Sequence, residues 1–251
     1  MRIRFWRGGI SNLQAQIKNM SFLQTIYTNA VNLNHRNILD LFEKNENAHF
    51  LDLGCDDGEV TMKMAEKIGT KNVSGVEIVP ERIKMSESNG IIVKNFDLNG
   101  KFDFEDNSID VIHANQVIEH LHNSDMFVGE IHRILKKGGY AIISTENASS
   151  WCNIFASIMG WQIFSLTNFS SKKQGIGNPL ALHGSDANIN ADFSSWNHIR
   201  IYNIRGLKEY FEVFDFKVKE IRGAGYFPLL GVLGDIDKTH CHFMTFKVEK
   251  I

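Results

Sequence analysis

The chain is poor in cysteine, has almost no excess charge and lacks any long apolar run. Its three cysteines, Cys55, Cys152 and Cys241, are odd in number and widely scattered, which argues against a disulfide framework and against any short zinc spacing. A reducing, cytoplasmic setting fits that usage best. The 27 basic and 29 acidic side chains leave a net charge of −2, so no global basic field draws the chain to nucleic acid, and no nucleic-acid partner is expected. The arm Met1 to Gly9 interleaves arginines with Phe5 and Trp6 but holds no apolar core for a secretion signal. It reads as a loosely ordered terminus in preference to a membrane-surface or partner-binding arm. The stretch from Trp151 to Phe164 is apolar and aromatic but too short to cross a bilayer, so no transmembrane segment is expected.

What is present begins with a short apolar run, Phe50, Leu51 and Leu53, that breaks into a turn bounded by Gly54 and Gly58 and passes directly into a helical pattern near Glu59. Buried strand, glycine turn and helix in that order are where an α/β sheet lets backbone approach a nucleotide-like ligand. A second acid, Glu77, ends the next apolar run about 20 residues on, where a carboxylate accepts hydrogen bonds from a ribose diol. Alternation then continues: strand near 72–77, helix near 80–88, strand near 91–94, strand near 109–113, helix near 125–135 and strand near 140–144. This predicts parallel strands with crossover helices. Apolar spacing from Ser11 to Lys44 predicts a helical preface covering the cofactor edge.

These blocks resemble the class I S-adenosylmethionine-dependent methyltransferases. The likeness rests on Leu51 to Gly58, Gly75 to Ile78, Asp97, Phe104 to Leu121 and Leu135 to Asn147, in the family's order and at its spacing. Asp56 stands where most members have a middle glycine. A nicotinamide-binding Rossmann domain is the competing reading of the turn, but the third glycine of that pattern is missing. The resemblance implies an α/β, Rossmann-like methyltransferase fold with a seven-stranded, mostly parallel sheet and helices on both faces. One domain, 1–251, is expected, made of a helical extension (1–47), a cofactor-binding half (48–148), a lid insertion after strand five (149–200) and a C-terminal helix and strands (201–251).

For S-adenosylmethionine as cofactor, the resemblance puts Gly54, Cys55 and Gly58 around the methionine end and Asp52 near its ammonium. It puts Glu77 on the ribose, Ile78 against adenine, Asp97 and Leu98 at the adenine amine, and Asn115 and Gln116 along the methionine side. Asp97 can equally be a turn residue before Asn99-Gly100. His120 and His198 are the candidate general bases, since an acceptor hydroxyl must lose a proton. Trp151, Phe155, Trp161, His183 and Arg200 are the candidate acceptor-binding residues of the lid; a capping subdomain or a homodimer interface is the other reading of that insertion. His113, inside a strand, reads as structural. No Asp/Glu/His grouping has the spacing of a magnesium-dependent catechol-type site, and no metal is expected. An Asn-Pro-Pro-Tyr signature is absent after strand four, where Asn115 to Ile118 stand. The expected activity is methylation of a small molecule or a glycan or lipid-linked precursor, at oxygen. Carbon methylation of a quinone or polyketide-like ring and a non-catalytic cofactor-binding adaptor are the alternatives.

Overall fold

The structure, a computed structural model, describes residues 22–170, 172–181 and 197–251. Its centre is a seven-stranded sheet in the order β3-β2-β1-β4-β5-β7-β6, formed by β1 (His49–Leu53), β2 (Asn72–Val76), β3 (Ile92–Lys94), β4 (Ile109–Asn115), β5 (Leu135–Glu146), β6 (Phe216–Ala224) and β7 (Phe243–Lys250). The first five strands are parallel, while β7 runs antiparallel between β5 and β6. The expected sheet is therefore the observed one.

Strand alternation sorts the core into two layers. Phe50 on β1 faces a cluster with Val73, Val111 and Ile142 and with the helices α1 (Phe22–Leu41) and α2 (Glu59–Ile68). Leu51 and Leu53 face the other cluster, with α4 (Ser124–Ile134) and α6 (Ile204–Val213) beneath Ile112, Ile143 and Phe246. Period-two burial on both faces is what an apolar strand covered by helices on each side requires. Between these lie α3 (Pro80–Ser88), entered through Pro80, and α5 (Trp151–Ile158); the short α7 (Leu233–Ile236) precedes β7.

Two boundaries differ from expectation. β5 starts at Leu135, where α4 stops at Ile134, because Leu135 pairs with Ile109 before Gly138 and Gly139 bulge the strand. A Cβ on Gly139 would lie 2.9 Å from the carbonyls of Asp110 and Lys136, so only glycine passes there. The described part of the preface, α1, docks on β5, β6 and β7 through buried asparagines; it lines no part of the large cavity described below but reaches its wall, where Asn34 Nδ2 donates to Asn115 Oδ1 at 3.4 Å. Its polar stripe, invisible to an apolar count, decides that placement. The expected helix before Phe22 and the arm from Met1 lie outside the described residues. Among the described residues no helix is long and apolar enough to cross a membrane.

Candidate functional site

The carboxyl ends of β1, β2 and β4 open onto a cavity of about 700 Å³. Every residue expected to hold the cofactor lines it except Gly58. Gly58 serves the local fold: its φ is 81° at the start of α2, and an added Cβ would lie 2.6 Å from Ile91 Cδ1. Asp56, in place of a glycine, holds a left-handed φ of 50° and is paired to Arg82 Nε at 3.2 Å. The Gly54 and Cys55 amides donate to the Val76 carbonyl at 2.8 and 3.1 Å, so these residues shape the floor of the cavity and their N–H groups are already used.

The acids are similarly braced. Asp52 Oδ1 accepts from His113 Nδ1 at 2.7 Å and Oδ2 from the Thr61 hydroxyl at 2.5 Å. His113, expected to be structural, also belongs to the cavity wall, and its Nε2 is buried without a hydrogen-bond partner among the described residues. Its place in an apolar strand hid that from the sequence. Glu77 Oε1 accepts from the amides of Ile78 and Val79, both at 2.9 Å, which fixes the carboxylate before any ligand arrives. Asp97 holds the turn, its Oδ1 accepting from the Asn99 amide and side chain, and it also lines the cavity. Burial pushes the Cys55 thiol up to about 12, so it is a packing group and not a nucleophile.

At the cavity edge the short helical turn Ile118–His120 meets the end of the insertion. The rings of His120 and His198, 78 positions apart in sequence, lie 4.7 Å apart edge to face. His120 Nδ1 donates to the Asn197 carbonyl at 3.0 Å and His198 Nδ1 to the Ser165 carbonyl at 2.6 Å, which leaves the lone pairs on Nε2. Burial, and then His198, push His120 down to about 4. Glu119 completes the group. It is 2% exposed, burial pushes it up to about 7, Oε2 accepts from Thr145 at 2.9 Å and Oε1 has no hydrogen-bond partner among the described residues. The absence of a metal-type spacing in the sequence did not exclude such a cluster, because folding joins residues that no local pattern links.

The acceptor residues expected from the insertion are placed otherwise. Trp151 stacks on His240 at 4.4 Å, Phe155 meets Trp161 edge-on at 5.7 Å, and Arg200 donates to Ser124 Oγ and the His122 carbonyl. None of these four lines the large cavity. Of these aromatics only Trp151 meets the segment before β7, and Trp151 and Phe155 both stay 38% exposed; beside them Tyr27, Cys152, Phe164, Tyr226 and His242 line a smaller apolar cavity of about 60 Å³. His183 lies outside the described residues.

Comparison with known proteins follows the same outline. A family profile described as a methyltransferase domain matches residues 27–221, well over half of the chain. The chain is 33% identical over 117 residues to a sterol 4-C-methyltransferase of Caenorhabditis elegans, covering 43% of this chain and 34% of that protein. It is 24% identical over 199 residues to the mitochondrial ubiquinone biosynthesis O-methyltransferase of Dictyostelium discoideum, covering 73% and 54%. These matches thus span about a third to a half of the relatives' lengths. Among solved structures, a Thermotoga maritima protein described as a SAM-dependent methyltransferase and possible histamine N-methyltransferase superposes with a TM-score of 0.58 at 15% identity, covering 90% of this chain and 92% of that one.

Proposed function

The chain belongs to the methyltransferase-domain family, and on that premise we propose that it is an S-adenosylmethionine-dependent enzyme that methylates an oxygen of a small-molecule, glycan or lipid-linked acceptor, with the His120–His198 pair removing the proton. The cavity fits the cofactor. Its volume is in the range of nucleotide-sized sites, Glu77 stands ready for a ribose diol, and Ile78, half-exposed beside it, offers an apolar face for adenine. Bound there, the cofactor supplies a sulfonium methyl, whose transfer to a hydroxyl leaves a thioether and releases one proton.

The observation that carries the oxygen reading is the pair of imidazoles whose Nδ1–H groups are held by backbone carbonyls. That tautomer presents Nε2 as acceptor, which is what removal of a hydroxyl proton needs. Asn115 and Gln116, which line the cavity at the end of β4, would hold the methionine side, and the buried Glu119 stands beside the two imidazoles. The sterol and ubiquinone relatives support an acceptor of low molecular weight.

The test is steady-state turnover with isotope-labelled methyl donor and a panel of hydroxylated acceptors. The expected result is label on oxygen, and a His198→Ala variant with kcat lower by a factor on the order of 100 and unchanged S-adenosylhomocysteine affinity. Label on ring carbon would replace the oxygen acceptor with a carbon one. Full activity of His198→Ala would remove the histidine assignment.

A further inference from the structure

We propose that Glu119, His120 and His198 form a binding site for a first-row divalent cation at the edge of the cofactor cavity, with the two rings ligating through Nε2 and the carboxylate through Oε1. One donor atom of each residue lies within 4.8 Å of the other two. Ligands closed round an ion at ~2.1 Å stand about 3 to 3.5 Å apart, so the three side chains must draw closer to complete the set. The surroundings are already those of a metal site. Each Nδ1–H is fixed by a backbone carbonyl, Asn197 for His120 and Ser165 for His198, which is how ligating histidines are aimed. The carboxylate is fixed in turn by the Thr145 hydroxyl on Oε2.

The second, independent observation is Glu119 Oε1, a carboxylate oxygen buried without a hydrogen-bond partner among the described residues. An unpartnered buried carboxylate oxygen is costly, and a cation compensates it. Glu146, also buried, adds negative potential at both Glu119 and His120 and so favours positive charge between them. Two imidazole nitrogens and one carboxylate select Zn²⁺, Mn²⁺ or Fe²⁺ over the oxygen-seeking Mg²⁺ and Ca²⁺. Three protein ligands leave positions for other oxygens, and His120 lines the cavity, so an acceptor there reaches the ion.

The purpose of the ion rests on the methyl-transfer reading; its binding does not. A hydroxyl coordinated to such an ion loses its proton to water near neutral pH. The oxygen's own electron pair then forms the O–C bond while the C–S pair stays on sulfur. In the ion-loaded enzyme the rings thus act on the proton through the metal and not as free bases.

Calorimetric titration of the full chain, stripped with chelator, with ZnCl2 and MnCl2 tests this, together with the visible spectrum on adding CoCl2. We expect one ion per chain, a ligand-field band with Co²⁺, and ion affinity at least about 100-fold weaker in His120→Ala, His198→Ala and the near-isosteric Glu119→Gln. S-adenosylhomocysteine affinity, measured in the same variants, reports that each is folded. Absence of ion binding by the wild-type chain overturns the site, as does binding that survives all three substitutions in folded protein. Turnover that persists in excess chelator overturns the ion's role in transfer while leaving the methyltransferase reading intact. Ion binding by a chain that does not bind S-adenosylhomocysteine would keep the site and sink that reading instead.

Discussion

Glu77 and Asp56 show how much a single side chain can be doing before a ligand arrives. Glu77 is held by two backbone amides, so it meets a ribose diol without paying further ordering entropy. Glu77→Ala should weaken S-adenosylhomocysteine by at least about 1.5 kcal/mol, the scale of charged hydrogen bonds lost. Calorimetry on the folded variant checks this, and unchanged affinity would remove the ribose assignment. Asp56 gives the opposite expectation. Its carboxylate is 47% exposed and turned to Arg82, and an exposed ion pair contributes little. Asp56→Gly should therefore leave affinity within a few-fold, since glycine takes the left-handed φ more readily still. A large loss would mean that the carboxylate holds the cofactor's ammonium.

Two elements are held by polar groups that an apolar pattern does not reveal. Asn34 on α1 donates to the Ser144 hydroxyl at 2.9 Å and accepts from Thr245 at 2.8 Å, and Asn37 donates to the Gly223 carbonyl at 3.0 Å. Asn34→Ala removes these buried bonds and leaves the Ser144 and Thr245 hydroxyls only the 3.0 Å bond to each other, and urea unfolding should show a loss of about 1 to 3 kcal/mol. On α4, Glu130 accepts from the Phe102 amide at 2.6 Å and from Arg133 at 2.6 and 2.8 Å, while Arg133 also caps the carbonyls of Phe102 and Phe104. This ties the loop before β4 to the helix. The Arg133 guanidinium, and then the Phe102 amide against an opposing burial effect, holds the Glu130 carboxyl below its usual value. A depressed folded-state value means stabilisation present above the unfolded glutamate value of about 4.3 and lost as pH falls further, through the folded value. Glu130→Gln should accordingly be less stable than wild type at pH 7, with the gap closing only below about pH 4.3. A gap independent of pH down to acid unfolding would show that the bond is neutral in character.

At the scale of the whole molecule, the cavity sits where three parallel strands end and two loops part, so its occupant bridges β1, β2 and β4. A ligand that binds only the folded chain stabilises it by mass action, about 2.7 kcal/mol at a hundred times its Kd. For a chain of this size that corresponds to a rise in Tm of about 5 to 10 °C. Saturating S-adenosylhomocysteine should give that shift in a thermal melt, and a nicotinamide dinucleotide should give none. Equal shifts with both would mean a cavity that does not discriminate its nucleotide. The insertion is expected to add little to the shift, because Trp151 packs on His240, Phe155 and Trp161 pack on each other, and none of the three lines the cavity.

The sequence by itself determined the sheet. Strand period, glycine turns and the order of strand and helix are local, since each is set by burial of alternate residues or by a φ that only certain residues adopt, and so they are readable along the chain. It also determined which residues ring the cavity, because these sit at strand ends whose positions follow from that period; Asp52, Glu77, Asp97 and Asn115 all line it. Only tertiary structure decided the rest. Glu119 lies just past β4 in the block Phe104 to Leu121, but its burial and its meeting with His198 depend on how the insertion returns to β4, which no local pattern encodes. The same is true of His113, whose partner Asp52 lies on the neighbouring strand, and of Trp151, whose ring was free by sequence to face either the cavity or His240. Contacts between distant segments depend on the competition of all surfaces for burial, and that competition is settled only when the chain is folded.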